Sequence, residues 1–225
     1  MCGRFVCISD LKTLQRWFDV DVVKAEPEAS YNVAPTQWIS AVVQNMRGTR
    51  GLVRLRWGLI PPWAKDRSGA ARMINARLET AAEKPSFAEA LRQRRCLIPA
   101  NGFYEWPVHQ QAQTREPVYI QQQGADIFAF AGLYSFWRDP DSGEQLATCS
   151  ILTTAANRTL ADLHHRMPVI LKPRQYAAWL DKHQQNPTEL QALCQGLESD
   201  ETTWHKVSES VNKVSYNQQE AIQPV

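Results

Sequence analysis

Between Cys96 and Thr154 the chain offers one strand candidate after another and no long helix. Cys96–Pro99, Gly102–Trp106, Val118–Gln122, Ile127–Trp137 and Ala147–Thr154 are rich in the aromatic and β-branched residues that suit a pleated surface. Gln37–Gln44 and Leu52–Gly58 read as strands flanking the turn-rich Asn45–Gly51, and Met167–Leu171 is another. Helical patterns are short and fall between them. Ser9–Asp19 has Asp10 as N-cap and Leu11, Leu14, Trp17 and Phe18 on one face. Ser86–Arg94 turns Phe87 and Leu91 inward, and Asn157–Leu163 is a further short helix. Pro173, ahead of Tyr176, Ala177 and Leu180, and the pair Asn186-Pro187 mark two late helix starts. Pro61-Pro62 breaks regular structure, and Trp63–Arg72 reads as a loop. Strands that do not alternate regularly with long helices disfavour a doubly wound parallel sheet. The predicted fold is α+β: a mixed curved sheet or open β-barrel with several short flanking helices. No linker or repeat divides the chain, so residues 1–225 are expected to form a single domain.

Charge is uneven along the chain. From Arg47 to Arg95 there are ten Arg and two Lys against one Asp and three Glu, a net +8 in a protein whose total is +2. The planar fork of Arg suits phosphate, so this segment points toward a polyanion, with locally paired surface charge as the plainer alternative. The five cysteines, Cys2, Cys7, Cys96, Cys149 and Cys194, are odd in number and scattered, which fits reduced thiols. No CxxC pair suggests a zinc site, and no cofactor or metal is expected. No apolar run approaches the ~20 residues of a membrane span. No secretory pattern opens the chain, so a cytoplasmic, nucleoid-associated protein without a membrane partner is expected.

The chain begins Met1-Cys2-Gly3-Arg4-Phe5. Loss of Met1 would leave Cys2 with an α-amine and a thiol on neighbouring carbons. Such a pair condenses with an aldehyde: the amine forms an imine and sulfur closes a five-membered thiazolidine. An α-amine near pKa ~8 and a thiol near ~8.5 suit neutral pH, whereas Lys at ~10.4 does not. The plainer reading of Cys2 is a small apolar residue near a terminus.

Four internal clusters carry polar chemistry: Tyr31-Asn32-Val33-Ala34-Pro35-Thr36, read as a polar turn, Asn75-Ala76-Arg77-Leu78-Glu79-Thr80, Gly102-Phe103-Tyr104-Glu105-Trp106 and His164-His165-Arg166-Met167-Pro168. Aromatic neighbours would desolvate Glu105 and raise its pKa into a useful acid–base range, although the same pattern allows a strand residue facing solvent. His164 and His165 could shuttle protons or make structural hydrogen bonds. Asn75 could hold a hydroxyl or cap a helix. Arg4 and Arg77 could clamp phosphates or pair with carboxylates. Trp57, Trp63 and Trp106 could stack on bases or fill the core.

Taken in order, these clusters, together with Trp57-Gly58-Leu59-Ile60-Pro61 and the late Val207-Ser208 and Val211-Asn212, resemble the SOS-response-associated peptidase family over almost the whole chain. Members of that family crosslink to abasic sites in single-stranded DNA. The resemblance implies that Cys2 is the nucleophile that captures the ring-opened deoxyribose aldehyde. It also implies that Asn75 positions the sugar and the Cys2 backbone, that Glu105 shuttles protons, and that His164 acts on the sugar hydroxyl and in reversal. Arg4 and Arg77 would hold flanking phosphates, with Arg166 assisting. Asn32 and Pro35 would line the pocket, and Trp57, Trp63 and Trp106 would lie against the DNA. Where the family commonly has an acidic residue after its catalytic histidine, this chain has His165; the spacing to Arg166-Met167-Pro168 favours His164. The implied partner is single-stranded DNA carrying abasic sites, bound by a monomer. The competing readings are an N-terminal-Cys peptidase that removes its own Met1, and a noncatalytic DNA reader built on the Arg-rich segment.

Overall fold

A computed structural model describes residues 2–107 and 116–225. In chain order the elements begin with β1 (Phe5–Cys7), α1 (Leu11–Phe18), β2 (Val22–Val23), β3 (Ser30–Val33), β4 (Trp38–Gln44) and β5 (Arg50–Trp57). β6 (Asn75–Arg77), α2 (Leu78–Ala81), α3 (Pro85–Gln93), β7 (Arg95–Ala100), β8 (Gly102–Glu105) and β9 (Val118–Gln122) follow. Next come β10 (Phe128–Arg138), β11 (Gln145–Ala155), α4 (Arg158–Ala161), β12 (Arg166–Pro168), β13 (Ile170–Leu171), α5 (Tyr176–Leu180), α6 (Pro187–Leu193) and β14 (Thr202–Lys206).

Strands β11, β10, β7, β4 and β5 pair antiparallel in that order. β5 then returns to β11 in parallel register at Arg56↔Thr148 and Trp57↔Cys149. The expected curved mixed sheet therefore closes on itself. A second sheet, in the order β14-β9-β8-β1-β3, is antiparallel throughout.

Alternate barrel residues serve two cores. Leu97, Ala129, Ala131, Leu133 and Leu152 face helical residues Leu14, Phe18, Leu91 and Trp179. A barrel this narrow has no room for helices within, so that face is the outside. Ile39, Ala41, Leu55, Cys96, Ile98, Phe130 and Ile151 point inward. Two buried faces explain why these strands read as nearly continuous apolar runs. Gly132 lies inward, where a Cβ would come within 2.7 Å of the Cys96 sulfur and 2.8 Å of Ile98.

The second sheet closes one mouth of the barrel. Phe5 of β1 meets Trp57 edge-on at 5.2 Å and Phe130 at 5.7 Å, and Phe103 of β8 reaches Phe130 at 6.0 Å. These contacts fix the N-terminal strand against the barrel, and so fix where Cys2 lies. Truncating Phe130 to Ala would leave a cavity at this junction, a loss of ~3–5 kcal/mol.

Three expectations change at the level of elements. Tyr31, Asn32 and Val33 of the expected polar turn belong to β3, paired with β1, and the turn starts only at Ala34. Met167–Leu171 is two strands, because Val169 turns away to bond Leu152 and Ala131 on different neighbours. The helix expected over Asn157–Leu163 is the single turn α4, capped by the Asn157 side chain.

Candidate active site

The register Phe5↔Phe103 runs antiparallel, so residues before Phe5 lie alongside those after Phe103. Tyr104 N–H donates to the Arg4 carbonyl at 2.9 Å, extending this pairing toward Glu105. Cys2 is fully buried at this end of β1. Its carbonyl accepts 2.8 Å from Asn75 Nδ2, on β6. β6 is held in parallel register with β11, Asn75 opposite Ile151 and Arg77 opposite Thr153. Two sheets thus converge on one residue: β8 supplies Glu105 and β6 supplies Asn75.

The Cys2 thiol lies well above its ordinary pKa, first through burial and then through the charge of Glu105. Burial in turn raises Glu105, which is 6% exposed. A thiol and a carboxyl that each disfavour ionisation can exchange a proton over a short path, which suits addition of sulfur to a carbon electrophile. The solvent-facing alternative for Glu105 is thereby removed.

His164 precedes β12 and is half-buried, with its ring fixed by the backbone of Arg166. The Arg166 N–H lies 2.9 Å from Nδ1 and the Arg166 carbonyl 3.1 Å from it, so the backbone of one residue engages this nitrogen. Burial lowers the His164 pKa, which keeps the ring neutral near pH 7. His165 is exposed and stacks on His164 at 4.3 Å. It lowers the Glu105 pKa as a minor influence, which places the histidine pair within electrostatic reach of that carboxyl.

Several expected DNA contacts have other occupations. Trp57 is fully buried and donates to the Ile74 carbonyl at 2.9 Å, so it is a core residue and cannot stack on bases. Asn32 is 1% exposed. Its Nδ2 donates to the carbonyls of Val211, Lys213 and Tyr216, and its Oδ1 accepts from Arg4 at 2.7 Å. Asn32 therefore pins the C-terminal segment and does not line an open pocket. Arg4 spends Nη1 on Asn32 and Val211 and lies 5.6 Å over the Trp106 ring. Trp106 is half-buried and donates to Asn212 at 2.6 Å. Arg166 makes a bidentate pair with Glu79 at 2.8 Å and also donates to Thr153.

Other candidates remain available to a ligand. Arg77 is exposed beside Asn75. Trp63 is 66% exposed on the loop after Pro61. Pro35 is half-buried, next to Thr36, whose φ of 72° is a left-handed conformation costly for a β-branched residue. The Thr36 N–H bonds the Trp57 carbonyl at 2.8 Å, which holds the turn in place. Nothing in the sequence pairs Glu79 with a residue 87 positions away. The strain at Thr36 likewise leaves no sequence signal.

Residues 1–214 match the family described as SOS response associated peptidase (SRAP). The chain is 43% identical over 225 residues to abasic site processing protein YoqW of Bacillus subtilis, covering 99% of each chain. It is 30% identical to abasic site processing protein HMCES of Pongo abelii, covering 100% of this chain and 76% of that one. A crystal structure of a protein from Bacteroides thetaiotaomicron superposes with a TM-score of 0.87 at 26% identity, over 100% of both chains. The chain belongs to the SOS response associated peptidase family.

Proposed function

We propose that this protein captures abasic sites in single-stranded DNA by a covalent bond to Cys2, once Met1 has been removed. One observation carries the reading: the residue that would become N-terminal is buried where Asn75 holds its carbonyl and Glu105 perturbs its thiol. The names of the relatives at 43% and 30% identity support the lesion.

The α-amine of Cys2 adds to the aldehyde carbon of the ring-opened deoxyribose and water leaves, giving an imine. The thiol proton passes to Glu105 as sulfur bonds to the same carbon, and the imine nitrogen takes up a proton. The product is a thiazolidine. Glu105 also serves the ring-opening proton transfer, and Asn75 orients Cys2 and the sugar. His164 addresses the sugar hydroxyl and serves reversal. Arg77 meets a flanking phosphate, Arg166 can follow if Glu79 releases it, and Trp63 offers a face for a base. A sugar without a base enters such a site without the cost of unstacking one. No cofactor is required, and the protein acts as a monomer in the cytoplasm or nucleoid.

Intact mass of the product tests the chemistry. Protein lacking Met1 plus an abasic oligonucleotide is expected to give the sum of the two masses less one water. An adduct that retains the water, or peptide hydrolysis with turnover and no adduct, would contradict it and favour the peptidase reading.

A further inference from the structure

The second sheet covers only one mouth of the barrel. Tyr134 and Phe136 continue the inward-facing row of β10 toward the other, with their rings 5.6 Å apart. Phe136 is 46% exposed there, an unusual position for an inward-facing barrel aromatic. Val43 of β4 and Val53 of β5 continue the same inward rows, so the floor of this mouth is apolar. Two cavities of 370 and 500 Å³ meet on Tyr134, Phe136 and Lys182.

The rim is basic. Lys182 donates to the Tyr134 hydroxyl at 3.2 Å, Arg94 lines one cavity and Lys24 the other, and among the described residues no carboxylate lines either. Arg95 lies beneath, 2% exposed. Its guanidinium donates to backbone carbonyls where α3 and α5 end, including Leu91 at 2.8 Å and Trp179 at 2.6 Å. It thus adds charge to this end of the barrel. Arg94 and Arg95 both depress the Lys182 pKa after burial does, so the cations repel one another. Of the nearby acids, Glu89 is paired with Arg94, and Asp181 bonds the His183 N–H. Exposed aromatic surface ringed by such cations calls for an anion with an apolar body.

We infer that the uncovered mouth of the barrel is a second binding site, taking a protein segment in which carboxylates flank an apolar side chain. The apolar side chain packs on Phe136, Tyr134 and the valines while the carboxylates meet Lys182 and Lys24. A nucleic-acid strand fits less well, because Val43 and Val53 of the floor give a base nothing to stack on and Arg94 is already paired with Glu89. The inference does not depend on what Cys2 does.

The test uses fluorescence anisotropy with a fluorescein-labelled decapeptide containing four aspartates, a leucine and a phenylalanine. Controls replace the aspartates with lysine, or the two apolar residues with serine, and a labelled oligothymidine of equal length is included. Saturable binding is expected for the first peptide only, weakened about tenfold by Lys182→Glu and by Phe136→Ser. Both variants should form abasic-site adducts at the parental rate, which shows that they are folded. If adduct formation fails in the parent as well, circular dichroism supplies the folding control and the peptide result still stands. No saturation, equal binding of the serine peptide, displacement by oligothymidine, or indifference to both substitutions would overturn the inference.

Discussion

Glu105 is the residue on which the chemistry turns, and its burial has a cost. A carboxyl whose folded pKa lies above its unfolded value of ~4.3 favours the fold when protonated, and that advantage is lost as pH rises through the folded pKa. Glu105→Gln is therefore expected to raise the melting temperature at pH 7 and to leave it nearly unchanged at pH 4. The same substitution should slow adduct formation and erase the loss of rate on acidification that the native carboxylate produces. Rates across pH 4–8, with thermal melts, check both halves; an unchanged rate would remove Glu105 from the mechanism. Asn32 makes a contrasting case. Asn32→Ala removes four buried or half-buried bonds, one from Arg4 and three to carbonyls, so about 2–3 kcal/mol of stability should be lost, read from the urea midpoint. A variant of native stability with weaker DNA binding would restore Asn32 to the DNA face.

Among the elements, the loop that presents Trp63 depends on β10. Trp137 Nε1 donates to the Ala64 carbonyl at 2.7 Å, and Arg67 spans to Asp139 and Glu144 while lying 5.6 Å over the Trp137 ring. The Arg67 bond, with the N–H groups of Ser142 and Asp141, lowers the Asp139 pKa to about 2, so this tie weakens only as pH falls from the ordinary carboxylate range toward that value. Trp137→Phe keeps an aromatic ring in the core and removes the Ala64 bond. Limited proteolysis should then cut faster within residues 61–72, with the rest of the chain as resistant as before. Unchanged cleavage would mean that the loop is held by other contacts. Neither tie was legible in sequence, since Asp139 lies 72 positions from Arg67. The long strands were legible because their aromatic and β-branched content is local. β6 was not: a three-residue strand exists only because β11 accepts it.

For the molecule as a whole, closing the sheet decides where the charge goes. Much of the Arg-rich segment is spent internally: Arg50 on Asp19, Arg54 on Glu28, Arg94 on Glu89, and Arg95 in the core. Its +8 therefore overstates the field that DNA would meet. Arg77 is exposed beside the Cys2 site. Arg77→Ala should weaken binding to single strands of every sequence alike and lower the salt slope by about one. A sequence-selective loss would contradict a phosphate contact. The order of the motifs made the family recognisable, and Cys2, Asn75 and Glu105 do come together in space. The motifs alone did not separate residues that reach a ligand from those that build the site. Asn32 shares a motif with the half-buried Pro35, and Trp57 lies just ahead of the exposed Trp63; only burial tells them apart.

The central claim is covalent capture by Cys2, and a heated denaturing gel tests it most directly. Untagged protein, with loss of Met1 verified by mass, is mixed with single-stranded DNA bearing one abasic site, beside Cys2→Ala protein and intact DNA. A shifted band that survives heating and requires both Cys2 and the lesion is expected, while Cys2→Ala retains salt-sensitive binding on a native gel. No such band from protein lacking Met1, or an equal band from Cys2→Ala, would contradict the account.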